Sequence, residues 1–282
     1  MRRRLDLELV RRGLASSQTS AQELIARGAV TVSGATADKP ARLVDPGEPV
    51  LVVGEPPRFV SRGGLKLAAA LDRIDLPLEG SEVLDAGAST GGFTDCLIQR
   101  GVALVVAVDV GHGQLHERLR VDERVVVLER TNIRDLPPFG LPTDDGGVDG
   151  VVADLSFISL LTVLPALHSQ LRTPGWMVVL VKPQFEAGRA VVDRAAGVVR
   201  DPSVWSEVLG RVSDALTAAG GSIMDIVESP VRGAAGNVEF LIAARFTHHH
   251  SAPGSAAAGT VSELIDEAVE SATTRWIDRG EP

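Results

Sequence analysis

From Val83 to Phe246 the chain alternates apolar runs with segments of helix length, and this alternation restricts the fold more than any other feature. The runs "EVLDA", "ALVVAVDV", "RVVVLER", "VDGVVADL" and "WMVVLVK" are near-continuously apolar, as strands buried on both faces must be. Five such strands with helix-length connections describe a parallel sheet covered on both sides. "IMDIVES" and "VEFLIAARF" follow, joined by only about nine residues, too few for a crossover helix. They are expected to form an antiparallel pair.

The first of these strands leads into "LDAGASTGGFTD", and what that turn can hold decides between ligand classes. A dinucleotide fold would show G-x-G-x-x-G, whose glycines let the backbone approach a pyrophosphate. Here the turn is Gly87-Ala88-Ser89-Thr90-Gly91-Gly92, without that spacing. Asp85 ends the first strand and Asp109 the second, where a carboxylate can accept hydrogen bonds from ribose hydroxyls. A carboxylate beside the turn repels a pyrophosphate and suits S-adenosylmethionine (SAM), whose sulfonium and ammonium are cationic. Five parallel strands ending in an antiparallel pair also match the Rossmann-like, seven-stranded sheet of SAM-dependent methyltransferases better than the six-stranded nicotinamide-binding sheet. The fold class expected is therefore α/β with that sheet.

Ligands of open α/β sheets bind at the carboxyl ends of the strands. Three charged residues interrupt apolar surroundings at those ends: Asp154 in "VVADLSFIS", Lys182 in "VVLVKPQFE" and Glu239 in "GNVEFLIAARF". Each would be costly to bury alone, and together they can neutralise one another. Lys66, after "SRGG", can supply a second positive charge. The residues by themselves admit two readings, a structural ion-pair network and a catalytic centre.

The first 55 residues have a different character. "RLDLELVRRGL" places Leu5, Leu9 and Val10 on one helical face, with Gly13 as the stop. Ser20-Ala21-Gln22-Glu23 has the form of a capping box opening a second helix that ends at Gly28. "AVTVSGATA" then reads as a strand turning at Ser33-Gly34, and "GEPVLVV" as another strand. This small αβ unit resembles the S-four RNA-binding domain in "RLD", "LVRRGLA", "ELIARGAVTVSG" and "PGEPVLV". Ser16 and Gln18 stand where such domains commonly carry arginine, so the resemblance leaves Arg2, Arg3, Arg4, Arg11, Arg12 and Arg27 as phosphate contacts, with Arg62 beyond the boundary.

Charge supports two parts with different tasks. Net charge is −9, which disfavours phosphate binding by the chain as a whole. Residues 1–66 nevertheless hold eleven Lys and Arg against seven Asp and Glu. A basic head thus precedes an acidic body. The apolar runs fall far short of the roughly 20 residues that span a bilayer, and the basic start lacks the apolar core of a signal peptide. With Cys96 as the single cysteine no internal disulfide can form, and a reducing cytoplasm is the compartment expected.

Taken together, "SRGGLKL", "LDAGASTGGFTD", "VDVGHGQL", "LERTN", "VVADLSFISL", "LVKPQFE" and "GNVEF" resemble the TlyA family of ribosomal RNA 2′-O-methyltransferases, also called haemolysin A proteins, with an FtsJ-like catalytic domain. The resemblance implies a catalytic tetrad of Lys66, Asp154, Lys182 and Glu239. It implies SAM contacts from Asp85, Gly87, Ala88, Ser89, Thr90, Gly91, Gly92, Asp109 and Asp154, with Asn132 near the adenine. Substrates so implied are cytidines in small- and large-subunit rRNA. Lys182 is then the candidate base for the 2′-hydroxyl proton, and Lys66 would orient the ribose and stabilise oxyanion charge. Burial and neighbouring carboxylates act on the proton affinity of Lys182 in opposite directions, so its resting state is left open. No metal-ligand cluster appears, and no metal is needed.

The expected organisation is an S-four-like domain over 1–55, a linker over 56–62, the methyltransferase domain over 63–247, a low-complexity linker over 248–260 and an amphipathic helix over 261–282. That helix presents Val261, Leu264, Ile265, Ala268 and Trp276 to the protein. Residues 186–202 read as either a substrate gate or an ordinary connection. Two rival functions fit the sequence less well. A non-catalytic RNA-binding protein leaves the four charged residues unexplained, and a membrane-acting haemolysin lacks a spanning segment. No protein partner is deducible.

Overall fold

A computed structural model describes residues 2–278 apart from 16, 27, 55–56, 234 and 248–259. Arg27, Ser16 and nearly all of the low-complexity linker therefore lie outside the described residues. The chain divides into two compact units, Met1–Ser61 and Arg62–Pro282.

In the first unit, strand β1 (Arg3–Arg4) pairs with β4 (Leu43–Val44), and helices α1 (Leu5–Arg11) and α2 (Gln18–Ala26) accompany a three-stranded sheet. That sheet has the order β3 (Ala35–Thr36), β2 (Val30–Val32), β5 (Val50–Val52). The β2–β3 hairpin turns through Ser33 and Gly34, both at positive φ, the geometry that matches strand twist in a two-residue turn. Leu5, Leu9, Leu24, Ile25, Val30, Val32 and Val50 form its core.

Two local expectations are corrected here. Val10 is exposed, and α1 instead buries Asp6 and Glu8 beside Leu5 and Leu9. The carboxylates tolerate burial because they are saturated: Asp6 accepts from Arg4, Gln18, Gln22 and the Leu7 amide, and Glu8 from Arg11 and Arg12. The Arg11 hydrogen bond, with help from Arg12, holds the Glu8 carboxyl down at about 2, against its burial. The second correction concerns α2, which begins at Gln18, so Ser20 is inside it. Ser17 takes the capping role, its hydroxyl accepting the Ser20 amide at 3.1 Å, and Gln18 is drawn into the first turn by its bond to Asp6.

The second unit carries a seven-stranded sheet. Its strands are β6 (Glu82–Ala86), β7 (Leu104–Val108), β8 (Val125–Leu128), β9 (Val148–Ala153), β10 (Leu171–Val181), β11 (Gly221–Glu228) and β12 (Phe240–Phe246). Their spatial order is β11-β12-β10-β9-β6-β7-β8. Six strands run in one direction, five of them joined by parallel ladders, and β12 lies antiparallel between β10 and β11. This is the expected pattern of five parallel strands closed by an antiparallel pair.

Three helices bury apolar stripes on this sheet: α6 (Leu160–His168), α9 (Pro202–Ala218) and α10 (Val261–Thr273). Along α9, Trp205, Val208, Leu209, Val212 and Leu216 follow the 3.6-residue period. Helix α10 opens with a complete capping box between Thr260 and Glu263. It buries Leu264, Ile265, Ala268, Val269 and Ala272, whereas Val261, expected on the same face, is exposed in the first turn. The remaining helices are α3 (Gly63–Leu71), α4 (Gly92–Ile98), α5 (Glu117–Arg120), α7 (Pro183–Glu186) and α8 (Arg189–Arg194). The last of these lies within the 186–202 connection.

Candidate active site

The site is built at the carboxyl ends of the parallel strands. Directly after β6, Gly87 adopts φ +84°, and a Cβ there would stand 2.5 Å from the carbonyl oxygen of Asp154. Only glycine permits this approach between the turn and the end of β9. Gly91, at φ +94°, is pressed against Leu115 and Leu119, where any side chain would overlap.

Asp109, just beyond β7, is clamped by two main-chain donors. Its Oδ2 accepts the Ser89 amide at 2.8 Å and its Oδ1 the Gly111 amide at 2.7 Å. Each oxygen keeps a further lone pair for a ligand hydroxyl. Asp109 lines a small cleft with Ala88, Ser89, Gly111, Gln114 and Glu129. The Gly113 amide, aided by Arg120 and His112, holds the Glu129 carboxyl at about 2, so it is anionic in this cleft.

Asp85 and Asn132 are placed differently. Asp85 is fully buried, its Oδ2 accepting the Thr94 hydroxyl at 2.6 Å, and its Oδ1 has no hydrogen-bond partner among the described residues. Burial pushes its carboxyl up to about 7. It ties the end of β6 to α4 through Thr94 and does not line the cleft. Asn132 caps a short 3₁₀ turn through the Arg134 amide and is also outside the cleft lining.

The four charged residues read from the sequence come together as a chain of alternating sign. Lys182 Nζ lies 2.6 Å from Asp154 Oδ1. Asp154 Oδ2 lies 3.8 Å from Lys66 Nζ, which is 2.6 Å from Glu239 Oε2. Lys66 comes from α3, and the others from the ends of β9 and β10 and the start of β12. All are largely buried, with Asp154 the most open at 21% side-chain exposure. The set is formally neutral, which makes its burial tolerable.

Three neighbours escaped the sequence reading. Ser156 Oγ accepts from Lys182 Nζ at 2.8 Å. Phe157 is 91% exposed, at φ +64°, with its ring centroid 5.4 Å from that of Phe185. The available signal was an aromatic inside the polar turn "DLSFIS", in a chain with only 4% aromatic residues. Glu186, beyond Lys182, is buried and bonded to Ser159 and Leu160.

The arginines of the first unit divide by environment. Arg12 donates to Glu8 and to the carbonyls of Asp45, Pro46 and Glu48, and its side chain is only 19% exposed. Arg4 and Arg11 are paired with Asp6 and Glu8 but remain about half exposed. Arg2 meets Asp45 at the surface, and Arg3 is exposed. Arg62 stands at the N-cap of α3, four residues before Lys66.

A sheet of this order, a glycine turn facing an acid-tipped second strand, and charged residues at the strand ends define a Rossmann-like methyltransferase. Comparison with known proteins agrees: the model of FtsJ-like methyltransferases matches residues 59–246, and that of S4 domains matches residues 3–50. The chain belongs to the TlyA family of FtsJ-like methyltransferases. It is 49% identical over 242 residues to the 16S/23S rRNA (cytidine-2′-O)-methyltransferase TlyA of Mycobacterium tuberculosis, covering 86% of this chain and 89% of that one. It is 36% identical to Hemolysin A of Brachyspira hyodysenteriae, covering 84% and 98%. A solved structure from Streptococcus thermophilus, named among the hemolysins, superposes with a TM-score of 0.74 at 37% identity, covering 99% of both chains.

Proposed function

We propose that this enzyme transfers a methyl group from SAM to the ribose 2′-hydroxyl of a cytidine in ribosomal RNA of the small subunit, the large subunit or both. The observation that carries this reading is the Lys182–Asp154–Lys66–Glu239 chain standing beside the glycine turn. When bound, SAM supplies an electrophilic sulfonium methyl. The cleft offers contacts to its adenosine part: Asp109 is oriented to accept from ribose hydroxyls, and Ala88 and Ser89 of the glycine turn line it.

A ribose hydroxyl is a weak acid, so its proton must leave as the oxygen attacks. Lys182 is the group placed to take it as the free amine, with Asp154 and Ser156 fixing its Nζ. Lys66, held by Glu239, supports charge developing on the attacking oxygen. Phe157 offers an exposed ring beside this centre, and stacking of a nucleobase on such a ring contributes about 1–3 kcal/mol. In the first unit the exposed Arg2 and Arg3, with Arg4 and Arg11, serve as phosphate contacts, whereas Arg12 is a structural residue.

A ribosomal substrate and a single, buried cysteine support a cytoplasmic location. A haemolytic activity draws no support from membrane-spanning structure, since no helix among the described residues is long and apolar enough to cross a bilayer. The test is methylation of isolated ribosomal subunits with labelled SAM, followed by mapping of the modified nucleotide. Label on a ribose of a single cytidine per subunit is the expected result, and label on a base would overturn the reading.

A further inference from the structure

Asp154 and Lys182 sit at the ends of neighbouring strands, β9 and β10, whose parallel register places Ala153 opposite Val179. Beyond the sheet the two connections diverge. Residues 154–159 lead to α6, and residues 182–186 enter the single turn of α7. Ladder hydrogen bonds no longer hold them together there, yet the reacting groups on both must keep a fixed relation. A buried carboxylate joins them.

Glu186 ends α7 and is 7% exposed. Its Oε2 accepts the Ser159 hydroxyl at 2.6 Å, and its Oε1 accepts the Leu160 amide at 2.6 Å. Leu160 is the first residue of α6, and Ser159 at the N-cap makes no capping bond of its own. Glu186 therefore caps α6 from another segment, where a negative charge is favoured by the unpaired amides and the helix dipole. The carboxylate is itself anchored through its main chain, since the Arg211 guanidinium from α9 donates to the Glu186 carbonyl.

The connection after β9 is thus held at both ends. Its start is fixed by the Asp154 amide donating to the Ala86 carbonyl at 3.0 Å, and its end by Glu186. Between the two lie Ser156, which receives the Lys182 bond, and Phe157. A positive φ is unfavourable for a phenylalanine, and such a conformation persists only when its surroundings impose it. The ring it packs against, Phe185, immediately precedes Glu186.

We infer that Glu186 is a positioning residue for methyl transfer: it locks the 154–159 connection to the segment carrying Lys182, and thereby sets both the Ser156–Lys182 contact and the exposed ring of Phe157. This rests on the methyl-transfer reading above. Glu186 touches neither the Asp109 cleft nor a reacting atom, so its loss should leave SAM binding unchanged.

The test compares wild type, Glu186→Ala, Glu186→Gln and Ser159→Ala, each below its melting temperature. Single-turnover methyl transfer to ribosomal subunits is measured together with SAM affinity by calorimetry. Misplacement of reacting groups by about 1 Å costs on the order of 10²-fold in rate, so Glu186→Ala should lose about tenfold or more and show a raised KM for RNA. Glu186→Gln keeps an acceptor for the Leu160 amide and should recover to within about threefold. Ser159→Ala, which removes one of the two ties, should fall between and decides the matter if Glu186→Ala does not fold. A second readout does not depend on turnover. Only seven phenylalanines are present, so ring-labelled NMR should show the Phe157 and Phe185 signals shifting in Glu186→Ala and returning in Glu186→Gln. Wild-type rate, KM and ring signals in folded Glu186→Ala would overturn the inference. Absence of methyl transfer by the wild type, with the ring signals shifting as expected, would overturn the substrate assignment and leave the clamp standing.

Discussion

Lys66 Nζ stands 2.6 Å from Glu239 Oε2, across 173 positions of sequence, in a site where both side chains are almost wholly buried. Breaking such a pair from one side leaves an uncompensated buried charge, at a cost of about 3–5 kcal/mol. Glu239→Ala should therefore lower stability by that order in denaturant unfolding. The double variant Lys66→Met/Glu239→Leu should regain most of the loss, because no unpaired charge is left behind. A single variant as stable as wild type would show that water reaches the pair.

Asp109 is oriented by the Ser89 and Gly111 amides. Loss of a charged hydrogen-bond partner costs about 1.5–3 kcal/mol. Asp109→Ala should weaken SAM binding by about tenfold or more, as read by calorimetry. An unchanged affinity in the folded variant would remove Asp109 from the cofactor site.

The buried Asp85 makes stability depend on pH in an unusual direction. Its carboxyl is raised to about 7 by burial, against an ordinary value of about 4. Between those values the folded protein holds a proton that the unfolded chain releases, so this group's contribution falls as pH rises through the window. Asp85→Asn should abolish that slope. Denaturant unfolding at pH 4.5 and 7.5 should show wild type losing on the order of 3 kcal/mol relative to the variant. Parallel pH profiles would mean that Asp85 is ionised in the fold.

Arg3 and Arg12 should respond in opposite ways. Arg3 is exposed, so Arg3→Gln should reduce the salt dependence of RNA binding by about one unit of slope with no change in melting temperature. Arg12→Gln strips donors from Glu8 and three carbonyls and should lower melting temperature. Fluorescence-anisotropy binding over a salt series, with thermal melts of the same samples, separates the two. An unchanged salt slope in Arg3→Gln would remove Arg3 from the RNA surface.

Features governed by periodicity were legible in the sequence, and features governed by tertiary geometry were not. The apolar runs announced the five parallel strands, and the short connection before β12 announced the antiparallel closure. Lys66, Asp154, Lys182 and Glu239 stood out because charge interrupts apolar sequence at strand ends. Burial of Asp6 and Glu8 was hidden, since an acid on a helix reads as solvent-facing unless Gln18, Gln22 and the arginines that saturate it are known to be near. The Ser20–Glu23 pattern misled because Ser17 offered an earlier cap. Gln114 and Glu129 join Asp109 only once neighbouring strand ends align, and the exposure of Phe157 depends on a backbone angle that its residue type disfavours.

Lys182 carries the central claim, because a structural ion-pair network and a catalytic base predict different losses there. The direct measurement is single-turnover methyl transfer by folded Lys182→Ala at saturating RNA and SAM, below its melting temperature, beside wild type. A rate lower by on the order of 10²-fold or more, with SAM affinity barely changed, is the predicted result. Transfer near the wild-type rate would contradict the account and assign the proton to another acceptor.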